Sequence, residues 1–491
     1  MRLFFSMLIL ALCQHSTLAQ QYSETAQTAY RQVLKLDHDA FQMAIDSLEK
    51  DEPNNPVDAH LLNYWDFYQL FIHERAEEYT SKYKKKSERL KQIKIAGDPE
   101  SPYYLYVQAD IYLQWALVEA KFRDFFTAFR DIKRAYQLLE ENRKRFPDFR
   151  LNDRNLGLLI ALVGTFPDEY RWGFEWLSGI PGSLDEGQYR LQQALLDTSE
   201  EAEIFRDETR ILYSLLLLHF LRDESAAWDL INKTDLHYLE SDLLSYIMVN
   251  VALRTKQLDK ARQYLNHRLE QKEIIKVPHL FYLDGLIKLY HGELAAARTS
   301  FGRFLERFEG VHYRKSSWLF ISYTYYLQGN MESYDQARLQ GLKNGDALLE
   351  EDRYAQAFFE EQNLPDKELL RIRLSFDGGN YDEAQKLIDH NQTRYPLGFK
   401  HKFITYYQAR LYQETARPFK AIRKFEKVYA LPDQEESYFA INAALQIGYI
   451  YIAEEEFQKA TEWLEKCLNT RSQVYQGSIH QKAKAALLRC R

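Results

Sequence analysis

The chain has 491 residues, of which 46% are hydrophobic and 27% charged, and its formal net charge is −7. A single compact core stops growing at roughly 250–300 residues, so this length calls for several domains or a stack of repeated pieces. No basic excess exists to neutralise phosphates, which argues against nucleic acid as a partner, and 35 Tyr and 29 Phe against 19 Gly and 12 Pro suit long helices packed through bulky side chains.

Residues 1–19 read as a secretory signal peptide. Arg2 precedes an apolar run from Leu3 to Cys13, and Thr17-Leu18-Ala19 offers a small-residue cleavage site between Ala19 and Gln20. That run is too short to span a bilayer, and no later one reaches about 18 apolar residues, so no transmembrane helix is expected in the mature chain. The reading places the protein outside the cytoplasm, in the periplasm of a bacterial host or in the extracellular space. Cys467 and Cys490 remain after cleavage. In an antiparallel helix pair their offset is about 13 Å along the axis, too far for a disulfide, so two separate thiols are expected.

Residues 20–150 form an N-terminal helical region. Two helices in 22–50 break near Leu36-Asp37-His38-Asp39, and the loop Asp51–Pro56 precedes a stretch expected to be helical from Ala59 to about Ile95. Its second half sets Lys82, Lys84, Lys85, Lys86, Arg89, Lys91 and Lys94 against Glu88, which reads as a solvated face. Residues 103–146 form a long helix hairpin closed by Pro147. Residues 151–200 stand apart as an insert. Leu156 to Val163 is nearly all apolar between Gly157 and Gly164, and Trp172, Phe174, Trp176 and Leu177 follow. A continuous apolar run is usually buried; the other reading is a flap over an apolar ligand.

From 201 to 475 one pattern recurs. Its clearest copy runs from Phe281 to Leu305: a helix with Gly285, the turn Gly292-Glu293-Leu294, and a second helix with Ala297 and Phe301. Small residues recur at Ala261, Ala297, Ala384, Ala421 and Ala460, and between 297 and 384 Tyr334 stands in one such place beside an extra segment. Residues 476–491 read as a C-terminal capping helix. The sequence holds no GxxxxGK[ST], GxSxG, HExxH or CxxC, so no catalytic residue, cofactor or metal site is expected. Asn232-Lys233-Thr234 and Asn391-Gln392-Thr393 match the glycosylation sequon.

These repeats resemble the tetratricopeptide (TPR) family. With the leader, the whole resembles exported bacterial TPR-repeat proteins. The resemblance implies an all-α fold, a TPR-like right-handed α-solenoid of antiparallel helix pairs that mediates protein contacts. In that family the first helix of each pair lines the concave face. Alignment by the turns then nominates Tyr282, Tyr290, Tyr323, Tyr326, Arg373, Tyr406, Arg410 and Tyr449 as a protein-binding groove. The family's Lys/Asn/Arg clamp for a C-terminal carboxylate is missing where Tyr282 and Leu286 stand. The expected role is a non-enzymatic scaffold in the cell envelope that binds a protein or peptide. The alternative is a carrier that holds an apolar ligand or lipid against the 156–177 segment.

Overall fold

The repeating turn has a physical origin in single residues. Lys256, Gly292, Gly329, Gly379, Ala416 and Glu455 all adopt positive φ, between 54° and 81°. Each ends a first helix in the left-handed conformation that closes a Schellman turn. The next residue's N–H reaches back five positions, as in Glu293 to Lys288 O (2.8 Å), Asn380 to Ser375 O (2.9 Å) and Glu456 to Tyr451 O (2.8 Å). At Asn330 and Asn380 the same residue also caps the following helix through its side chain. Five residues beyond each left-handed position lies a buried residue: Ala261, Ala297, Tyr334, Ala384, Ala421 and Ala460.

The structure, a computed structural model, describes residues 22–490 except 54, 165–178, 222, 234–239, 271–274, 362–363, 433–437 and 473–474. The leader, its cleavage site at Ala19 and Gln20, and the Trp172–Leu177 segment lie outside the described residues. The described residues hold twenty-five α-helices and no strand. They divide into two compact units, the first built from residues up to Thr255 with Ala261–Leu283 and Gly302–His312, the second from Lys256–Lys260, Asp284–Phe301 and Tyr313 onward.

In the first unit, helices α1 (Glu24–Lys35), α2 (His38–Asp51), α3 (Val57–His73), α4 (Ala76–Ala96), α5 (Pro102–Lys121), α6 (Phe125–Arg145), α7 (Leu151–Gly164) and α8 (Leu184–Leu196) pack as successive pairs. After α9 (Glu200–Ile204), α10 (Arg206–Leu216) and α11 (Glu224–Ile231) form another pair, and α12 (Asp242–Arg254) follows. First helices also touch one another along the row α1, α3, α5, α7, α10, and α12 returns to α1.

Two expectations change here. The stretch from Ala59 to Ile95 is two helices, because Glu74 takes a left-handed conformation (φ 54°). Its buried carboxylate lies 2.9 Å from both His312 Nδ1 and Lys121 Nζ and accepts from the backbone N–H groups of Val311 (3.2 Å) and His312 (3.4 Å). Those partners outweigh burial and hold its pKa at about 2. The apolar run 156–163 belongs to α7, whose Gly157 meets Gly187 of α8 so closely that a Cβ on residue 187 would stand 2.6 Å from Gly157 O. The described ends of the 151–200 segment therefore form a helix pair like the others.

Helices α13 (Leu258–Glu270), α14 (His279–Tyr290) and α15 (Leu294–Arg307) contribute residues to both units. The second unit continues with the pairs α16 (Arg314–Gln328) and α17 (Met331–Lys343), α19 (Lys367–Asp377) and α20 (Tyr381–Gln392), α21 (Gly398–Glu414) and α22 (Pro418–Ala430), and α23 (Tyr438–Ala453) and α24 (Phe457–Asn469), and ends with α25 (Gln476–Leu488). A single helix, α18 (Glu350–Glu361), packs on α16 and α17. It is the extra segment that lengthens the interval between Tyr334 and Ala384. First helices again touch in sequence, α19 on α21 and α21 on α23.

Candidate protein-binding recess

The first helices of the first unit turn their polar side chains on one another. Arg154 on α7 pairs with Glu208 on α10 (2.6 Å) and donates to Tyr106 on α5 (3.0 Å). Glu208 also accepts from Tyr30 on α1 (2.5 Å) and from Tyr64 and Tyr68 on α3 (3.2 Å each). Asp110 on α5 joins through His60 (2.9 Å) and Asn155 (2.8 Å), and Tyr22 lies 2.6 Å from His60 Nδ1. All of these side chains are buried. The face that would line a groove is consumed by internal bonds.

The lysine-rich helix α4 behaves similarly in part. Lys86 is buried between Glu119 and Asp131, and Asp66 holds Lys82 (2.8 Å) and Arg89 (2.7 Å), whereas Lys84, Lys85, Lys91 and Lys94 are exposed.

The second unit keeps an open face. Six residues before their left-handed turns, Arg373 on α19 and Arg410 on α21 occupy the same place in successive pairs. Both line one recess with Tyr406 and Tyr407 of α21, Tyr438 and Asn442 of α23, Tyr354 of α18 and Tyr475 just before α25. Its volume is about 230 Å³. Small-molecule sites run to roughly 300–1,000 Å³, so this space suits one or two side chains of a partner.

The wall is held by aromatic contacts. Tyr475 stacks on Tyr354 with ring centres 6.0 Å apart and meets Tyr438 edge-on at 5.5 Å. Its φ of 62° is a strained conformation for a tyrosine. Arg373 lies over the Tyr354 ring and donates to its hydroxyl. Asn442 donates to Tyr406 Oη (3.0 Å), and Arg410 donates to Glu414 (3.0 Å). Burial pushes the phenols of Tyr406, Tyr407, Tyr438 and Tyr475 above their ordinary value, so all four remain hydroxyl donors at neutral pH. Burial opposes the charge on Arg373 and Arg410, but the phenols and carboxylates around them outweigh it and keep both guanidiniums protonated.

Of the eight groove residues expected from sequence, the recess gathers Arg373, Tyr406 and Arg410. Tyr282 belongs to the first unit and packs on Phe304 (ring centres 5.6 Å). Tyr290 packs on Gly378, where a Cβ would lie 2.6 Å from its own. Tyr323 is buried, 3.4 Å from Tyr354 Oη and edge-on to Phe358. Tyr326 donates to Pro365 O (2.7 Å). Tyr449 packs into the core of α23, α24 and α25. Asn391 of the second sequon is fully buried and donates to Leu387 O, so the folded chain offers no acceptor there; Thr234 of the first lies outside the described residues. Among the described residues no cluster of three or more His, Cys, Asp or Glu could hold a metal, and no helix is long and apolar enough to cross a membrane. The two thiols are separate, as expected.

No protein-family model matches the sequence, and a search of curated proteins finds no match. Among solved structures, the chain is similar to a tetratricopeptide repeat protein from Parabacteroides merdae (16% identity, TM-score 0.25, covering 57% of this chain and 98% of that one). It is also similar to the TPR domain of P58(IPK) (16%, 0.24, 86% and 98%) and to yeast Tom70 (12%, 0.23, 94% and 88%). The architecture rests on the Schellman turns, the small residue five positions on, and the contacts between successive first helices. The helix pairs are tetratricopeptide-like.

The recess residues that the sequence did not nominate include Tyr354, Tyr407, Tyr438, Asn442 and Tyr475. Tyr407 stands beside the nominated Tyr406, and that doublet could have marked it. Tyr354 sits on the helix that breaks the repeat, and Tyr475 lies beyond the last turn. Neither has a periodic signal.

Proposed function

We propose that this chain is a non-enzymatic scaffold, exported to the cell envelope, that captures a protein or peptide partner in the recess of its second unit. The observation that supports it is the pairing of Arg373 and Arg410 among phenol donors on successive first helices. The equivalent faces of the first unit are occupied by their own ion pair and hydrogen bonds. Guanidiniums and tyrosines that are rigid and partly desolvated are the groups that dominate protein interfaces. The leader directs the chain through the membrane, and the periplasm is its compartment in a bacterial host.

The test is site-specific photocrosslinking in cells. A benzophenone amino acid at Asn442 should yield a reproducible protein adduct that Arg373→Gln with Arg410→Gln weakens at least tenfold. The same probe at exposed Lys94 should yield none. Equal adducts from both positions, or none from Asn442, would count against the recess.

A further inference from the structure

We infer that α4 and α6, the second helices of two successive pairs, form a face by which the first unit lies on an anionic lipid bilayer. The two helices run parallel in a fixed register. Arg130 on α6 donates to Tyr83 Oη on α4 (3.3 Å), Lys86 on α4 donates to Asp131 on α6, and Arg145 reaches Glu100 (3.4 Å). These partners are 45 to 47 positions apart throughout. Helix α4 carries seven basic residues against three acidic and α6 six against three, in a chain that is −7 in all. Lys86, Lys82 and Arg89 point inward to Glu119, Asp131 and Asp66. The outward cations are Lys84, Lys85, Lys91 and Lys94 on α4 with Arg134 and Lys144 on α6. They are exposed, and none forms an ion pair among the described residues. The exposed acids of the two helices are Glu77, Glu88 and Glu141.

Apolar groups frame these charges. On α6 the exposed positions 126, 130, 134, 137, 141 and 144 keep the helical period and make one stripe. Phe126 opens it with 80% of its surface exposed, and Ile95 near the far end of α4 is 74% exposed. The cations are chiefly lysines, hydrated point charges on flexible stems, and no planar fork is held in place to read a fixed partner. Such a set matches the smeared charge of lipid headgroups, where each Lys or Arg near the surface strengthens binding roughly fivefold. A soluble polyanion would satisfy the cations and leave Phe126 in water. A bilayer takes both: the ring enters the boundary between headgroups and acyl chains, and the ammoniums stay at the phosphates.

Flotation with vesicles tests this, using the chain from Gln20 onward so that the apolar leader cannot insert. The protein should float with vesicles of equal parts phosphatidylglycerol and phosphatidylcholine, and at least tenfold less with phosphatidylcholine alone. Lys84→Gln with Lys91→Gln and Arg134→Gln should weaken flotation at least tenfold. Phe126→Ser should also weaken it, by about tenfold, while leaving retention on heparin unchanged. All four side chains are exposed, so these variants keep the fold. No flotation, equal flotation with phosphatidylcholine alone, or flotation that the triple variant leaves intact would overturn the proposal. Loss in the triple variant with none in Phe126→Ser would overturn the bilayer and assign the face to a soluble polyanion such as an acidic protein.

Discussion

Phe301 stands where a side chain on residue 285 would be: a Cβ built on Gly285 would come within 2.6 Å of Phe301 Cε1. The contact is the repeat's packing rule in one pair, a small residue on the first helix and a large one on the second. Gly448 and Leu464 repeat it at 2.5 Å. Gly285→Ala forces a fully buried aromatic ring aside, and overpacking of this kind costs about 1–3 kcal/mol. A lower urea midpoint at unchanged slope is expected; an unchanged midpoint would mean that the backbone yields freely.

Ala416 offers the opposite change. It is an alanine at φ 54° in a turn that Gly292, Gly329 and Gly379 fill elsewhere. A non-glycine residue in this conformation costs roughly 1–2 kcal/mol, partly offset by glycine's larger loss of freedom on folding. Ala416→Gly should raise the melting temperature by a degree or two. A fall would show that this turn's strain is balanced by contacts of the alanine methyl.

Arg154 anchors the closed face of the first unit. Arg154→Met leaves Glu208 and Asp110 buried without their cation, and breaking one side of a buried pair costs about 3–5 kcal/mol. Adding Glu208→Gln should recover part of that loss, because the three tyrosine hydroxyls can bond a neutral amide. A double-mutant cycle in denaturant measures the coupling, and additive losses would contradict it.

His279 sets an acid limb. It is packed between Phe304 and Phe308, and burial lowers its pKa from 6.5 to about 3. The unfolded chain therefore takes up a proton below pH 6.5 that the folded chain refuses. Stability is full above 6.5 and falls as pH drops toward 3, by about 2 kcal/mol at pH 5. Glu119, raised to about 7 chiefly by burial, works in the opposite sense between pH 4.5 and 7. The test is thus a difference: His279→Leu should flatten the decline between pH 6.5 and 4 relative to the parent chain. Parallel profiles would rule His279 out as its source.

The thiols should differ in reactivity. Cys467 is fully buried, and burial pushes its pKa to about 12, whereas Cys490 is half-buried. A chain without the leader should take up one equivalent of a thiol reagent when native and two after denaturation. Two fast equivalents in the native chain would contradict the packing of α24 on α25.

The repeat was legible because it is local. A left-handed residue, a cap one position on and a small residue five positions on all fall within one turn and the start of a helix, so Gly292-Glu293-Leu294 with Ala297 states it outright. What tertiary structure decided lies at long sequence separation. Glu74 breaks a helix without glycine or proline because His312 and Lys121 meet its carboxylate. Tyr30 reaches Glu208 and closes the first unit's face. Tyr475 stacks on Tyr354 and walls the recess. Such pairings have no period along the chain. Burial then sorts identical residue types, locking Arg154 inside the first unit while leaving Arg373 and Arg410 on an open face, and only the folded arrangement of helices sets which is which.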